Sequence, residues 1–563
     1  MPHASTPRQL ADAYVHDLAD LDPGIATALG LRPHDDRMPD NSPVAQQAHD
    51  DLARRVLTDL DGLEAAAGPQ GLDETERRCA ALLRDRLGIE LEASAAGEHL
   101  RAVRNIGSPA HGARSLFLLM PTSTHDDWAC IARRMARFPD AYTSYVDSLE
   151  EGRRRSLFAA PRQVETLVDQ LDEWVDAGAG STWFHDFVSA GPEDLRAELT
   201  DAADTAASAV ADLREYLRAT YLPAAEGTPE AVGADRYLLN ARRWMGASID
   251  PEEIYAWGWA EYRRIDAEMR GLAEQLLPGA TPVEAMRHLD ESGRRVEGVD
   301  EVRAWLQDMM DRAIGELDGT HFDIAEPIKT VEAMIAPPGS AAAPYYTRPS
   351  IDFARPGRTW LPTLGRTTFP VYDLVSTWYH EGVPGHHLQL AQWVHVAPQL
   401  SIYQTTIGSS AGATEGWALY AERFMDELGY LDAEERMGYL DGQMMRAVRV
   451  VIDLGMHLGL SVPDDSPLAP GQTWTPELAL EFFRAHSGRP RDFLESEIVR
   501  YLGWPGQAIS YKLGERAWLA GRAAARAAHE ERGEPFDLKT WHMAALSLGA
   551  LGLDDLETEL SRL

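Results

Sequence analysis

Cysteine is nearly absent: Cys79 and Cys130 are the only two in 563 residues. So few thiols build no disulfide framework, and there is no Cys-x-x-Cys motif. Any metal site must therefore draw its ligands from histidine and carboxylate. Also missing is a run of about 18 uninterrupted apolar residues, so no membrane-spanning helix is indicated. The opening stretch Met1 to Leu21 sets Asp12, Asp17 and Asp20 among its apolar positions and has no hydrophobic signal core, which makes a cytoplasmic location the default expectation. Basic charge is scarce. Lys and Arg total 53 against 89 Asp and Glu, a formal net charge of -36. Phosphate backbones would repel such a chain, which disfavours a nucleic-acid partner. A cationic substrate suits the field, and so does a plainly solvated acidic surface. No internal repeat or low-complexity tail occurs.

What is present is an ordinary globular composition, 44% hydrophobic and 25% charged, on a chain too long for one core. Asp50 to Ala67, Glu76 to Leu91 and Ala160 to Val175 carry apolar residues at helical spacing over polar faces. Breaks are expected at Gly68-Pro69, at Ser108-Pro109 and around Gly178 to Gly180. A long helix over Asp201 to Thr220 should end near Pro223, and the cluster Gly227, Pro229 and Gly233 follows. The expected division is therefore a helical N-terminal lobe, 1–225, and a helical metal-binding lobe, 226–563. Pro251 to Leu277 predicts a helix capped by Ser248 or Asp250. Between Thr330 and Pro370 the chain holds Pro337, Pro338, Pro344, Pro349, Pro356, Pro362 and Pro370, a density that helices do not survive. Loops and a few short strands are expected there, around 330–365, with helices again from Pro370 to the end. The fold class expected is mainly α.

The chemistry gathers in Tyr379-His380-Glu381-Gly382-Val383-Pro384-Gly385-His386-His387-Leu388-Gln389. A His-Glu pair with a further His a turn or two on is how zinc hydrolases set two imidazoles and a base around one ion. The usual second His, four residues on, is replaced here by Pro384. At about 100° per residue an undisturbed helix would bring His387 to within roughly 20° of the face of His380 and leave His386 far off it. Pro384 cannot donate to the carbonyl of His380, and Gly385 follows, so a kink is expected that could bring either imidazole round. A third ligand is supplied by Thr414-Glu415-Gly416-Trp417-Ala418-Leu419-Tyr420-Ala421-Glu422, in which Glu415 is the candidate. Glu422, seven residues on, shares its face and is placed to orient a ligand imidazole; a solvated helix residue is the plainer reading.

These segments resemble the bacterial family known as domain of unknown function 885, whose proteins are similar to gluzincin metallopeptidases. The matching pieces are His380 to Gln389, Glu415 to Glu422, Arg449 to His457, Arg500-Tyr501, and Pro505-Gly506-Gln507-Ala508-Ile509-Ser510-Tyr511-Lys512. The opening Asp22-Pro23 to Asp40-Asn41-Ser42-Pro43 and the closing Phe536 to Leu556 fit as well, so nearly the whole chain is covered. In that family the His directly after Pro-Gly is regular and the next position varies. The resemblance therefore implies His386 as the second His ligand, against the straight-helix geometry. It also implies a gluzincin-like multi-helix fold with short strands beside a metal-containing cleft.

Further candidates are Arg449, Asp453 and His457, at successive i, i+4 positions. They form either an internal salt-bridge ladder or a stripe from which Arg449 or His457 reaches the substrate. Tyr511 and Tyr501 are candidate hydrogen-bond donors to a tetrahedral intermediate, Tyr511 the favoured one. The tract Tyr345 to Trp360, with Arg348, Arg355 and Arg358, offers a strand edge for a peptide or a bidentate clamp for a carboxylate, against an ordinary surface loop. The expected activity is zinc-dependent hydrolysis of a peptide or related amide, with His380, His386 and Glu415 on the metal and Glu381 as general base. The alternatives are an enzyme for a small non-peptide amide and a non-catalytic, metal-structured binding protein. Native metal, oligomeric state and substrate identity are open at this point.

Overall fold

The structure, a computed structural model, describes residues 4–68, 71–175, 181–337 and 343–563. The expected breaks at Pro69 and 178–180, and Pro338 in the proline-rich tract, lie outside the described residues. Helices dominate and strands are few and short, the mainly α class read from the sequence. By internal contacts the chain forms a first unit, Met1–Val232 with Val499–Trp504, and a second, Gly233–Ile498 with Pro505–Leu563. The division falls at Gly233 rather than 225/226, and the short return Val499–Trp504 left no mark in composition.

In the first unit, proline in the first turn and a side-chain cap start α1 (Pro7–Leu21, capped by Thr6) and α2 (Pro43–Ala67, capped by Ser42). Asp73 caps α3 (Glu74–Ala95), and Thr124 with Asp127 forms a complete capping box on α4 (His125–Met135). Then come α5 (Phe138–Arg154), α6 (Pro161–Val175) and α7 (Arg196–Tyr216). α6 buries Val164, Leu167, Val168, Leu171 and Trp174, one stripe at i, i+3, i+4 spacing. α7 presents Ala202, Ala203, Ala206 and Ala209, small enough for α4, α5 and α6 to pack closely on it. The helix expected over Asp201 to Thr220 runs on through a wide turn, Leu217–Tyr221, into Leu222–Ala225. It stops at Ala225, two residues past Pro223 and so near the expected end, the wide turn replacing the regular bonds that a proline cannot make. Ser108-Pro109 is not a break but opens a short helix, Pro109–Ser115.

In the second unit Asp250 caps α8 (Pro251–Leu276) by accepting from the amides of Glu252 and Glu253. β1 (Arg295–Glu297) and α9 (Val299–Leu317) follow, then β2 (Val331–Ile335), β3 (Tyr345–Thr347), β4 (Gly357–Leu361) and β5 (Thr368–Pro370). β4 is central to a three-stranded sheet, parallel to β2 and antiparallel to β3, with Tyr346 opposite Thr359. β5 instead pairs antiparallel with β1, a strand the sequence did not suggest.

The site-bearing helices are α10 (Leu374–Glu381), α11 (His386–His395), α12 (Ala411–Glu427), α13 (Ala433–Leu458) and α14 (Ser510–Arg532). α12 and α14 meet backbone to backbone. A Cβ at Gly416 would lie 2.4 Å from the Gly514 main chain, so only glycine permits the approach. The stretch after α13 is not helical as expected: Gly459 ends the helix in a left-handed conformation, and Ser461 bridges Thr473 across a loop.

Candidate metal centre

His380 and Glu381 are the last two residues of α10, both buried. The helix does not continue into α11. The Gly385 amide bonds back to the carbonyl of Tyr379 at 3.0 Å, and the His387 amide to that of Gly382 at 3.1 Å. A Cβ on Gly385 would lie 2.0 Å from the His380 carbonyl oxygen, so this close stacking of α11 on the end of α10 requires glycine. From α12, the Trp417 indole N–H donates to the carbonyls of Pro384 (2.9 Å) and Gly385 (3.1 Å), fixing the turn. The outcome is a change of helical phase. His386 now faces His380 edge-on, ring centroids 4.7 Å apart.

Glu415, one turn into α12, completes the group. Its Oε2 lies 3.3 Å from Nε2 of His380 and 3.6 Å from Nε2 of His386. Ligand bonds of about 2.0–2.2 Å in a tetrahedron give ligand–ligand separations of about 3.3–3.6 Å, so both separations from the Glu415 oxygen suit a shared four-coordinate ion. The chemistry fits too: two imidazoles and a carboxylate, with a fourth position left over. Ligand-type atoms of His380, Glu381 and His386 also lie within 4.8 Å of one another. That trio would use Glu381 as a ligand, whereas the Glu415 oxygen already reaches both Nε2 atoms and leaves the Glu381 carboxyl over.

Behind His380 stands Glu422. Its Oε1 is 2.7 Å from Nδ1 of His380 and orients the ring so that Nε2 is turned toward Glu415. The other oxygen of Glu422 accepts from Ser376 Oγ at 2.7 Å, and the Arg446 guanidinium lies 3.4 Å from Oε1. Burial opposes ionisation of Glu422, yet Arg446 and His380 hold its carboxyl below the usual carboxylate range. Burial also opposes charging of His380, but hydrogen bonds to Glu415 and Glu422 lift it to about 10. Glu415 is held well below the carboxylate range, against its burial, by the same two imidazoles. Burial pushes Glu381 up. Three carboxylates around two imidazoles make a site that favours a cation.

His387 points elsewhere. Its Nε2 is 2.7 Å from the carbonyl of Ile328 and its Nδ1 2.9 Å from the Tyr346 hydroxyl, so both nitrogens are engaged on the sheet side. Burial pushes this ring down to about 4. The straight-helix geometry that favoured His387 fails because the chain is not a straight helix between Gly382 and Gly385.

The family model for bacterial proteins of unknown function, DUF885, matches residues 23–560. The chain belongs to the DUF885 family. No curated protein matches it. A "putative lipoprotein" of Colwellia psychrerythraea shares the fold of this DUF885 chain at a TM-score of 0.83 and 22% identity, with 99% of each chain covered. A second such protein, "of unknown function", from Shewanella oneidensis, has a TM-score of 0.76 and 17% identity over 99% of this chain and 100% of its own. No described helix is long and apolar enough to cross a membrane.

The remaining candidates of the DUF885 chain sit in other surroundings. Arg449 is ion-paired with Glu497 at 2.7 Å, and its guanidinium lies 5.1 Å above the Tyr511 ring. His457 is fully buried, 3.7 Å from Asp453, whose other oxygen accepts from the Tyr237 hydroxyl (2.8 Å) and the Gly506 amide (3.0 Å). A ring so enclosed has no surface to offer a substrate, so the expectation of a catalytic His457 is not carried forward. Tyr501, in the first unit, is fully buried under the Arg500 guanidinium. Arg358 pairs with Glu332 at 2.7 Å. Sequence reasoning passed over Ser376, Arg446 and Trp417. Ser376 lies four residues before His380, the one signal that pointed its way.

Proposed function

We propose that this chain is a zinc-dependent hydrolase of peptide or related amide bonds, with a gluzincin-like arrangement of base and ligands. The observation that carries the reading is the convergence of His380 Nε2, His386 Nε2 and Glu415 Oε2 beside a buried, unliganded Glu381. Zinc at those three atoms would polarise the scissile carbonyl and lower the pKa of water towards about 7. Glu381 takes a proton from the attacking water as its oxygen adds to the carbonyl carbon. It then hands that proton to the nitrogen as the C–N bond breaks, so acid and amine leave and Glu381 is restored. Burial, by raising the Glu381 carboxyl, suits it to both halves of that exchange. Glu422, held by Ser376 and Arg446, keeps His380 in the tautomer that presents Nε2. Tyr511, only half-buried beneath Arg449, is the donor proposed for the developing oxyanion. The substrate proposed is a small peptide or amide.

Two measurements on the purified full chain test this. Elemental analysis should return about one zinc per chain, and a peptide library should be cleaved, with cleavage abolished by a chelator and restored by zinc. A protein that holds no zinc after add-back, or one that hydrolyses neither peptides nor small amides, would sink the proposal. Cleavage of small amides with every peptide left intact would move the substrate to the non-peptide class.

A further inference from the structure

Arg348 follows directly on β3 and shares a strand face with Tyr346, whose hydroxyl meets His387 of α11. Its guanidinium lies 5.8 Å from the Trp393 ring of the same helix and donates to the carbonyl of Thr405. Trp393 is seven residues after His386, hence on the same helix face and about 10 Å along the axis. Arg348 therefore packs against α11 about two turns along the helix from His386, a proposed metal ligand.

Its charge has no counterpart. Arg358, its neighbour in the tract, is answered by Glu332, but no carboxylate among the described residues pairs with Arg348. Burial pushes its guanidinium down from the usual arginine value, and the opposing neighbour is only the Tyr346 phenol. Half-buried, with only a carbonyl and an aromatic face against it, the guanidinium can meet an added carboxylate without displacing an acid. A guanidinium offers five N–H donors in a planar fork that matches a carboxylate bidentately, and one backbone carbonyl occupies little of it. A second unmet polar atom lies on the same path. Gln389, one turn beyond His386, is buried, with its Oε1 lacking a hydrogen-bond partner.

We infer that Arg348 recognises a free carboxylate on the substrate, so that the chain acts on peptides or amide acids whose carboxylate lies within about three residues of the bond cut, at about 3.3–3.6 Å of extended chain per residue. The inference rests on the hydrolase reading for the word substrate, but the binding it requires can be read without turnover. Full-length Glu381→Gln protein loaded with zinc is titrated calorimetrically with a short peptide as free acid, as its C-terminal amide, and as the amide carrying an internal Asp. The free acid should bind at least about tenfold more tightly than the plain amide, and Arg348→Gln should erase that difference. Arg348→Lys, a point charge without the fork, should keep part of it. Tight binding of the Asp-bearing amide would assign the site to side-chain carboxylates instead of chain ends. Equal binding of acid and amide by protein with Arg348 intact overturns the inference, whatever the variants do to folding. With the wild-type enzyme, release of C-terminal pieces of one to three residues is expected. Cleavage in the interior of long amidated peptides would overturn the Arg348 anchor and leave the hydrolase standing. Carboxylate-dependent binding with no cleavage of anything would do the reverse.

Discussion

In the first unit the buried Arg134 gives its guanidinium to local structure: it donates to the carbonyls of Arg37 (2.8 Å) and Pro23 (3.2 Å) and to the Thr27 hydroxyl (2.8 Å). Asp127 is buried in its own capping box, Phe117, Phe138 and Phe184 pack ring against ring, and Arg8–Glu76 (2.8 Å) and Ser94–Asp50 (2.7 Å) tie helix to helix. The second unit also buries side chains against side chains across helices. Glu422 joins Ser376, His380 and Arg446; Asp453 joins Tyr237; Lys512 joins Glu261 and Gln443. Buried charge is costly unless paired, and in the first unit the pairing closes turns, caps helix ends and joins neighbouring helices. Around His380 it does something different. It fixes the orientation of one imidazole and leaves a neighbouring carboxylate, Glu381, without a salt bridge among the described residues, as the proposed general base requires.

The largest effect expected from breaking this contrast is on turnover. Glu381→Gln should keep zinc content and melting temperature while lowering kcat by about 10²–10⁴-fold, since it removes a proton acceptor and little volume. Unchanged kcat in that variant would withdraw Glu381 as base. Next comes Leu167→Ala in the fully buried stripe of α6, where a cavity should cost about 2–5 kcal/mol by denaturant unfolding while zinc per chain stays the same. A loss of zinc in step with stability would erase the distinction between the two interiors. Glu422→Gln is isosteric and should leave the fold intact but weaken zinc binding by about 10–100-fold in a competition titration with a chelator. Wild-type affinity there would make Glu422 a packed residue and no more.

The smallest effect is on acid stability. In the first unit burial pushes His111 down to about 4, against the usual 6.5, with Ser108 and Gln170 at its two nitrogens. The folded ring stays neutral where the unfolded one takes up a proton, so its contribution is present above about pH 6.5 and lost as the pH falls towards 4. His111→Gln should flatten that stretch of the stability–pH curve by on the order of 1–2 kcal/mol, allowing for partial exposure of the ring. A curve as steep as that of the wild type would assign the acid sensitivity to other groups.

Much of the helical framework was legible because its signals are local. Thr6-Pro7, Ser42-Pro43 and Asp250-Pro251 start helices by caps and preset dihedrals that depend on a few neighbouring residues. The proline-rich tract read as strands and loops for the same kind of reason. The end expected near Pro223 came at Ala225, but the wide turn Leu217–Tyr221 that carries the helix past the proline was not legible. β1 was not legible either: Arg295–Glu297 is a strand only because Thr368–Pro370, some seventy residues on, pairs with it. Glu422 could be placed on the face of Glu415 by counting, but its hydroxyl and guanidinium partners come from α10 and α13, and no periodicity relates those helices.

The sequence by itself confined any metal ligands to imidazole and carboxylate, since it has only two cysteines, and it determined the interruption of the helix at Pro384-Gly385. Tertiary structure alone decided which histidine turns to His380. That choice depends on how α11 restacks on the end of α10, and the Trp417 bonds to Pro384 and Gly385 and the glycine contact of Gly416 with Gly514 set the position of α12 that receives it. Helical phase is written in neighbouring residues. The distance between helices is set by the volumes of side chains far apart in the chain, and it becomes defined only once they are packed.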